Sequence, residues 1–200
     1  TKAKILFVSN SASMYGSEKS LYAILSGLDQ NLFEPYLLCP AEGELAEKAR
    51  GLGMTVFIIP MKIWLWIKIL SKTFIVSLFI NCLAISKITF LIKKHHIDMV
   101  YTNSAGIIAG ATAAKICGKR HLWHIREHVS KHRIAFKIIH SLSDRIIANS
   151  NSTKKTFPDE FLDKICVVYN GFNIDIAKIL LEERNILREK YGLNSSSQVV

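Results

Sequence analysis

Lys4-Ile-Leu-Phe-Val-Ser-Asn10, near the start of the chain, is a short apolar run that ends in two polar residues. A run of this length, without alternating polar residues, is typical of a strand that is buried on both faces of a parallel sheet. After a polar loop, residues 17–28 place leucine and isoleucine at the spacing of a helix that packs one face on the sheet. The start of the chain therefore predicts a strand-helix unit.

This strand-helix pattern repeats along the chain. Further strands are predicted at 35–39, 55–59, 98–102, 121–125, 145–148 and 165–169. Further helices are predicted at 43–52, 105–117 and 152–157. Such alternation predicts an α/β fold, with a Rossmann-like, doubly wound and mostly parallel sheet that has helices on both faces. Ligands of such sheets bind beyond the carboxyl ends of the strands.

The length and composition predict one domain and part of another. Of the 200 residues, 50% are hydrophobic and 21% are charged, which excludes a disordered chain. We expect the Rossmann-like domain to span residues 1–173. Residues 174–200 are predicted to be a linker and the truncated start of a second domain, because they form a charge-rich helical stretch and end in an apolar run.

The net charge of +10 predicts an anionic partner, such as nucleic acid, phosphate or a membrane surface. The sequence contains no helix-turn-helix, RNP-like or zinc-finger pattern, so nucleic acid is not expected. The four cysteines form no CxxC pair, which favours a reduced, cytoplasmic protein. The basic residues clustered between positions 115 and 133 are compatible with a diphosphate or headgroup site and equally with a solvated surface.

Residues 63–92 are nearly all apolar, but lysines interrupt them. The longest stretch without a charge, 73–86, is shorter than the ~20 residues that a membrane-spanning helix needs. If the segment were one helix, its lysines would share one side, as in helices that lie in a membrane interface. A helix pair buried inside the domain is the alternative. In the interfacial case, the membrane-facing residues would be Trp64, Trp66, Lys68, Lys72 and Phe74.

The loop between the first strand and the first helix, Asn10-Ser-Ala-Ser-Met-Tyr-Gly16, contains one glycine. It lacks both the GxGxxG pattern of dinucleotide sites and the P-loop pattern, so no dinucleotide cofactor is expected. Gly16 and Ser17 open the helix, whose N-terminal N–H groups could still face a diphosphate. A plain connecting loop is the alternative.

Residues 124–128 read His-Ile-Arg-Glu-His, which matches the HxxEH pattern of a zinc hydrolase. That function requires a helix, whereas residues 121–125 read as a buried strand and no third ligand stands out downstream. No metal is therefore expected, and a zinc hydrolase is a remote alternative. A histidine at a strand end is suited to hydrogen bonding or proton transfer in a cleft, or else packs against Trp123.

Five motifs, in this order, resemble the N-terminal, acceptor-binding domain of family 4 glycosyltransferases, which have the GT-B fold. The resemblance covers residues 2–200. The motifs are Lys4-Ile-Leu-Phe-Val-Ser-Asn10 with Tyr15-Gly-Ser-Glu18, Thr102-Asn-Ser104, Trp123-His-Ile-Arg-Glu127, Ile147-Ala-Asn-Ser150 and Val168-Tyr-Asn-Gly171. One departure is that the family usually has two glycines in the first loop, where this chain has Tyr15 before Gly16.

The resemblance implies an enzyme that moves a sugar from a nucleotide sugar to a saccharide or a polyprenyl-diphosphate-linked acceptor, without a cofactor or an essential metal. It implies that His124 is the catalytic histidine, which contacts the transferred sugar, and that Gly16 and Ser17 bind the donor diphosphate. The residues that it places on the acceptor side are Asn103, Ser104, Arg126 and Glu127.

The donor-binding domain of the family lies outside these 200 residues, so we expect the chain alone to be inactive. The resemblance also suggests transfer with retention of configuration. Together with the basic apolar segment, it predicts an enzyme of bacterial surface polysaccharide synthesis that is peripheral at the inner, cytoplasmic face of the plasma membrane. A non-catalytic module that binds membranes or glycolipids is the alternative.

Overall fold

The apolar run at the start of the chain forms β1 (Ala3–Ser9), an inner strand of the sheet. Its apolar side chains are buried on both faces, because Leu6 and Val8 pack into one core cluster and Ile5 and Phe7 into another. A strand with this pattern requires cover on both sides of the sheet. The computed structural model describes residues 2–65, 72–129, 133–171, 186 and 188–192, without the side chain of Lys72.

The sheet has seven strands in the order β3-β2-β1-β4-β5-β6-β7, and every neighbouring pair is parallel. This confirms the predicted Rossmann-like, doubly wound fold. The parallel pairing is complete, where the sequence predicted a mostly parallel sheet. After β1, the strands are β2 (Phe33–Cys39), β3 (Thr55–Ile58), β4 (Met99–Asn103), β5 (Arg120–Ile125), β6 (Arg145–Ala148) and β7 (Ile165–Val167).

Helices cover both faces of this sheet. The helices are α1 (Gly16–Ser26), α2 (Glu44–Gly51), α3 (Lys72–Lys94), α4 (Ala109–Ile116), α5 (Arg133–Leu142), α6 (Asn151–Lys154) and a 3₁₀ helix (Asp159–Lys164). Residues of α1 and α2 join the core cluster of Ile5 and Phe7, whereas α3 and α4 join that of Leu6 and Val8. The approach of α4 is close, because a Cβ on Gly110 would lie 2.9 Å from Thr102 Oγ1.

Helix α5 is absent from the sequence prediction, which assigned no helix or strand between residues 125 and 145. Ala135, Phe136 and Ile139 are buried and join the core cluster of Trp123. Their spacing is helical, so the signal was present. The basic residues that flank it drew attention to charge instead.

The apolar segment 63–92 is not one helix, although the prediction that its lysines share one side assumed that it was. Residues 61–64 carry no regular secondary structure, and α3 begins at Lys72. Asn81 joins the two parts, because its Oδ1 accepts from Lys62 N at 2.9 Å and its Nδ2 donates to Lys62 O at 3.0 Å. Lys62 therefore lies outside α3, and the predicted single helix with the lysines on one side does not form.

One face of α3 is core and the other is exposed. Ala84, Ile88 and Ile92 are buried against the sheet. The exposed apolar residues are Ile75, Val76, Leu78, Phe79, Leu83 and Phe90. Residues 73–94 are long and apolar enough to cross a membrane by length and composition alone, with a mean hydropathy of 2.1, and 22% of the most apolar window is buried. Core helices of soluble proteins meet the same criterion.

The chain separates into two compact units, Thr1–Tyr169 and Asn170–Val200. The first contains the whole sheet. The predicted boundary after residue 173 falls four residues beyond this division and lies outside the described residues. The assignment of the second unit to a donor-binding domain stays a prediction.

Candidate functional site

Polar residues from three strands meet at the carboxyl edge of the sheet. In the parallel register, Ser9 of β1 lies beside Asn103 of β4, and Asn103 lies beside His124 of β5. All three side chains are buried. These three residues form the polar row. Asn103 Nδ2 donates to Ser17 O of α1 at 3.4 Å, which places the polar row on the α1 side of the sheet. The topology therefore gathers residues that lie more than 100 positions apart in the sequence.

Arg126, the first residue after β5, joins this row to α1. Its Nε donates to Asn103 Oδ1 at 2.8 Å, and its Nη1 donates to Ser20 Oγ at 2.7 Å. Its Nη2 lies 3.2 Å from His124 Nδ1. Burial lowers the pKa of Arg126, but a guanidinium keeps its charge in proteins. Arg126 therefore fixes a positive charge at the carboxyl edge.

His124 is held in its neutral form. Burial, with a further contribution from the Arg126 charge, lowers the pKa of His124 to about 3. A guanidinium N–H can only donate, so His124 Nδ1 accepts, and the hydrogen of the neutral ring lies on Nε2. His124 Nε2 is buried and has no hydrogen-bond partner among the described residues. The ring therefore presents an N–H donor that the protein itself does not use.

Tyr101 supports the same tautomer of His124. Its hydroxyl hydrogen-bonds to His124 Nδ1, and the two rings meet edge to face at 5.8 Å between centroids. Burial raises the pKa of Tyr101 to about 12, partly offset by Arg126, so the hydroxyl stays protonated and can donate. Two donors, from Tyr101 and Arg126, thus converge on one ring nitrogen.

Ser104, directly after β4, and Glu127, after β5, are joined by a hydrogen bond beside this row. Ser104 has φ of 102°, a backbone region that is rare for residues other than glycine. Its N–H donates to His124 O at 2.9 Å, and its hydroxyl donates to Glu127 Oε1. Glu127 Oε2 accepts from Arg126 N at 3.0 Å. These two predicted acceptor residues therefore hold the Arg126 backbone in position, whatever else they bind.

Gly16 and Ser17 begin α1 on the same edge. A Cβ on Gly16 would meet nothing within 4 Å, and no side-chain hydrogen bond from Tyr15 caps the helix. Ser17 Oγ donates to Glu18 Oε1 at 2.7 Å. The space above Gly16 is thus open to a ligand even though Tyr15 replaces the second glycine of the family pattern.

The structure adds four polar residues that the sequence prediction did not assign to the site. Tyr101 contacts His124, and Ser20 contacts Arg126. Glu18 is almost fully buried in the first turn of α1. Asn10 Oδ1 is buried without a hydrogen-bond partner in the described part of the chain. Asn10 could have been found, because it follows a buried strand at its carboxyl end, whereas Tyr101 lies within a strand and carried no such signal.

Among the predicted membrane-facing residues, the two whose side chains the structure describes do not join the polar row. Trp64 and Phe74, the latter on α3, are half-buried, and Trp64 Nε1 donates to Ala105 O at 2.8 Å. Trp66 and Lys68 lie outside the described residues, as does the side chain of Lys72. The structure therefore places only Trp64 and Phe74 from this group.

The basic residues between 115 and 133 do not form one cluster. Lys115, Lys119 and Arg120 line a pocket at the amino end of β5, while Arg126 lies beyond its carboxyl end. Arg133 pairs with Glu160 at 2.7 Å. A strand separates the two described groups, so the residues that the sequence offered as a diphosphate or headgroup site, or equally as a solvated surface, are divided between the two ends of β5.

The HxxEH pattern does not adopt the geometry of a zinc site. His124 is the last but one residue of β5, which ends at Ile125, and Glu127 and His128 follow outside any helix. Across the residues that the structure describes, no group of three His, Cys, Asp or Glu side chains could hold a metal ion. The zinc hydrolase alternative therefore lacks the helix that it requires.

Comparison with known families agrees with the motifs at this edge. The sequence model of Glycosyltransferase Family 4 matches residues 14–176. The chain belongs to glycosyltransferase family 4. The matched range includes Gly16, Asn103 and the whole segment from His124 to Glu127. No curated protein sequence matches the chain.

Solved structures share the fold of this family 4 chain. HepE from Anabaena, in complex with UDP and glucose, is 20% identical with a TM-score of 0.66, over 95% of this chain and 50% of its own. A glycosyltransferase from Rickettsia africae is 20% identical with a TM-score of 0.70, over 98% and 51%. MurG from Acinetobacter baumannii is 14% identical with a TM-score of 0.60, over 85% and 47%. The chain thus spans about half the length of these structures.

The buried histidines should make the fold sensitive to mild acid. His121, which bonds to Thr102 Oγ1 at 2.9 Å, has its pKa lowered by burial to about 4, and His124 to about 3. The pKa of histidine in an unfolded chain is ~6.5. Below that pH the unfolded state therefore binds protons that the folded state does not bind. We expect the free energy of unfolding to fall by roughly 1–2 kcal/mol per histidine between pH 7 and pH 5.

Urea unfolding curves at several pH values measure this loss. Replacing His121 or His124 with Gln should flatten the pH dependence, and His140→Gln, at an exposed ion pair with Asp163, serves as the control. Unfolding curves that do not change between pH 7 and pH 5 would contradict the assignment of neutral, buried rings.

Proposed function

We propose that the chain is the acceptor-binding half of a glycosyltransferase that moves a sugar from a nucleotide sugar to a lipid-linked saccharide. Family membership and the polar row at the carboxyl edge support this proposal. The single observation that carries it is the unused Nε2–H of His124 beside the fixed charge of Arg126. The Anabaena structure that shares the fold contains UDP and glucose, which agrees with a nucleotide sugar as donor.

In this proposal, His124 acts as a hydrogen-bond donor and not as a general base. Glycosyl transfer develops positive charge on the sugar ring and negative charge on the departing diphosphate. A neutral ring whose Nδ1 already accepts from Tyr101 and Arg126 has its Nε2–H left for a sugar hydroxyl or a phosphate oxygen. Because Nε2 is covered in this structure, contact with the donor requires its covering groups to move.

Arg126 and Asn103 are proposed to bind the acceptor. The hydrogen bonds from Ser104 and Arg126 N to Glu127 hold the Arg126 backbone in place. The open N-terminus of α1, at Gly16 and Ser17, is proposed to face the donor diphosphate, since helix N-termini favour anions. In this account the catalytic site is completed by a second domain, so these 200 residues alone are expected to be inactive. Transfer with retention, without cofactor or metal, is part of the same proposal.

We also propose that the enzyme works at the inner face of the plasma membrane, as a peripheral protein in bacterial surface polysaccharide synthesis. The support is the exposed apolar face of α3 in a chain with a net charge of +10. Exposed apolar area beside basic residues favours adsorption to anionic lipid.

The catalytic proposal predicts a selective loss of turnover in His124→Ala of the two-domain enzyme. Removing one well-placed donor costs roughly 100-fold in kcat. Release of nucleoside diphosphate is measured with UDP-glucose, UDP-N-acetylglucosamine and GDP-mannose, in the presence of a lipid extract of the source organism. His121→Ala, at a buried histidine of the same strand on the opposite face, is the matched control and should stay within a few-fold of wild type.

Thermal unfolding must show that both variants are folded at the assay temperature. Turnover of His124→Ala equal to that of His121→Ala would remove His124 from the mechanism.

The membrane proposal predicts that vesicle binding depends on the outer face of α3. The double variant Phe79→Ser, Leu83→Ser changes two residues that are 65% and 48% exposed and lie one helical turn apart. We expect it to lose most of its flotation with vesicles of phosphatidylglycerol and phosphatidylcholine. The control is Ile116→Ser with Ile134→Ser, which changes exposed apolar residues on other helices. Equal flotation of the two double variants would contradict the proposal.

A further inference from the structure

A cavity of about 200 Å³ lies between α3, the start of α4 and Trp64. It is separate from the polar row at His124, which lies on the α1 side of the sheet. Its apolar walls come from both helices and from the segment before α3. These wall residues are Trp64, Phe74, Leu78, Ile85 and Ile108.

Three of the polar side chains in the wall already bond within the protein itself, while Ser77 and Cys82 also line the cavity. Asn81 bonds to both backbone groups of Lys62, as described above. Thr112 Oγ1 donates to Ile108 O at 3.0 Å, and Trp64 Nε1 donates to Ala105 O at 2.8 Å. Apolar cavities of ~150 Å³ stay dry and bind hydrocarbon molecules such as benzene. The mainly apolar lining of this open cavity is therefore suited to a hydrocarbon ligand.

The cavity wall is tied to the backbone beside the polar row. Trp64 N donates to Gly106 O at 3.0 Å, in addition to the bond from its ring to Ala105 O. Ala105 and Gly106 directly follow Ser104, which hydrogen-bonds to Glu127. The cavity therefore adjoins the strand end that carries the proposed acceptor residues.

The cavity continues outward onto the exposed face of α3. Leu78 lines the cavity and is 54% exposed, and Ile75, one turn earlier, is 64% exposed. A chain that leaves the cavity would therefore run along an apolar surface instead of entering water.

The stretch of sequence that contains Trp64 and α3 is basic, which favours an anionic lipid. Residues 51–97 contain six lysines and no aspartate or glutamate. The lysines are Lys62, Lys68, Lys72, Lys87, Lys93 and Lys94. Basic residues near an apolar surface attract anionic headgroups, at ~1 kcal/mol for each residue near the membrane.

We propose that this cavity holds one hydrocarbon chain of an anionic lipid, and that this lipid is the acceptor of the proposed reaction. The chain of the lipid occupies the cavity between Trp64 and α4, and its phosphate-bearing end lies towards Asn103 and Arg126. The identification of the lipid as acceptor rests on the proposed function, whereas the binding of the hydrocarbon chain does not.

The direct test fills the cavity with protein atoms. Thr112→Leu adds apolar volume inside it, and Thr55→Leu makes the same change at an exposed position on β3. The probe is dodecyl phosphate below its micelle concentration, with butyl phosphate as the short-chain comparison. Binding to the 200-residue chain is followed by ¹H–¹⁵N correlation spectra and by calorimetry.

We expect dodecyl phosphate to bind with amide shifts at Ile85, Ile108 and Thr112, and butyl phosphate to bind at least tenfold more weakly. Thr112→Leu should weaken the binding of dodecyl phosphate at least tenfold, while Thr55→Leu leaves it unchanged. If Thr112→Leu does not fold, Ile108→Phe provides a second filling variant. Unchanged binding by a folded filling variant, or shifts confined to exposed residues such as Ile75 and Phe79, would overturn the proposal.

Two further outcomes separate this inference from the proposed function. Specific dodecyl phosphate binding by a two-domain protein that transfers no sugar would support the cavity and reject the enzyme. Normal transfer to a lipid acceptor by Thr112→Leu would support the enzyme and reject the cavity as the acceptor site. Self-association that protects the cavity in the absence of lipid would overturn the proposal in favour of a second copy of the chain.

Discussion

The site depends on the contacts of one guanidinium. Arg126 donates to Asn103 at the end of β4 and to Ser20 on α1, and it lies against His124 at the end of β5. These groups come from three separate elements, and a planar fork of fixed donors is the side chain suited to joining them. The same contact decides that His124 Nδ1 accepts. The unused Nε2–H, and with it the proposed role of His124, follows from that single arrangement.

The sheet divides the proposed chemistry between its two faces. On the α1 side lie buried polar groups with a fixed positive charge. On the α3 side lie an apolar cavity and an exposed apolar helix face within a stretch of chain that contains no acidic residue. The turn at Ser104 lies between the two, because its hydroxyl reaches Glu127 and the next residues bond to Trp64. A lipid-linked sugar has a polar, anionic end and an apolar chain, which is why we propose that one acceptor binds to both surfaces.

Much of the fold was predictable from the sequence, since parallel strands buried on both faces leave apolar runs such as that of β1. The resemblance to family 4 named Asn103, His124 and Arg126, and their place at one edge agrees with the rule that ligands bind beyond the carboxyl ends of parallel strands. Tyr101 was not predictable in this way, since its contact with His124 depends on which strands become neighbours. The lysine pattern of segment 63–92 misled, because a helical projection assumes a helix where residues 61–64 have none. The cavity beside α3 depends on that break and could not have been inferred from periodicity.

The tautomer of His124 is the most direct measure of this account. Long-range ¹H–¹⁵N correlation spectra of the histidine-labelled chain report which ring nitrogen carries the hydrogen, and loss of one signal in His124→Gln assigns it. We predict a neutral ring with its hydrogen on Nε2 at pH 6.5, unchanged down to pH 5. A hydrogen on Nδ1, or a doubly protonated ring at pH 6, would contradict the central role given to Arg126 and to the donor that it sets.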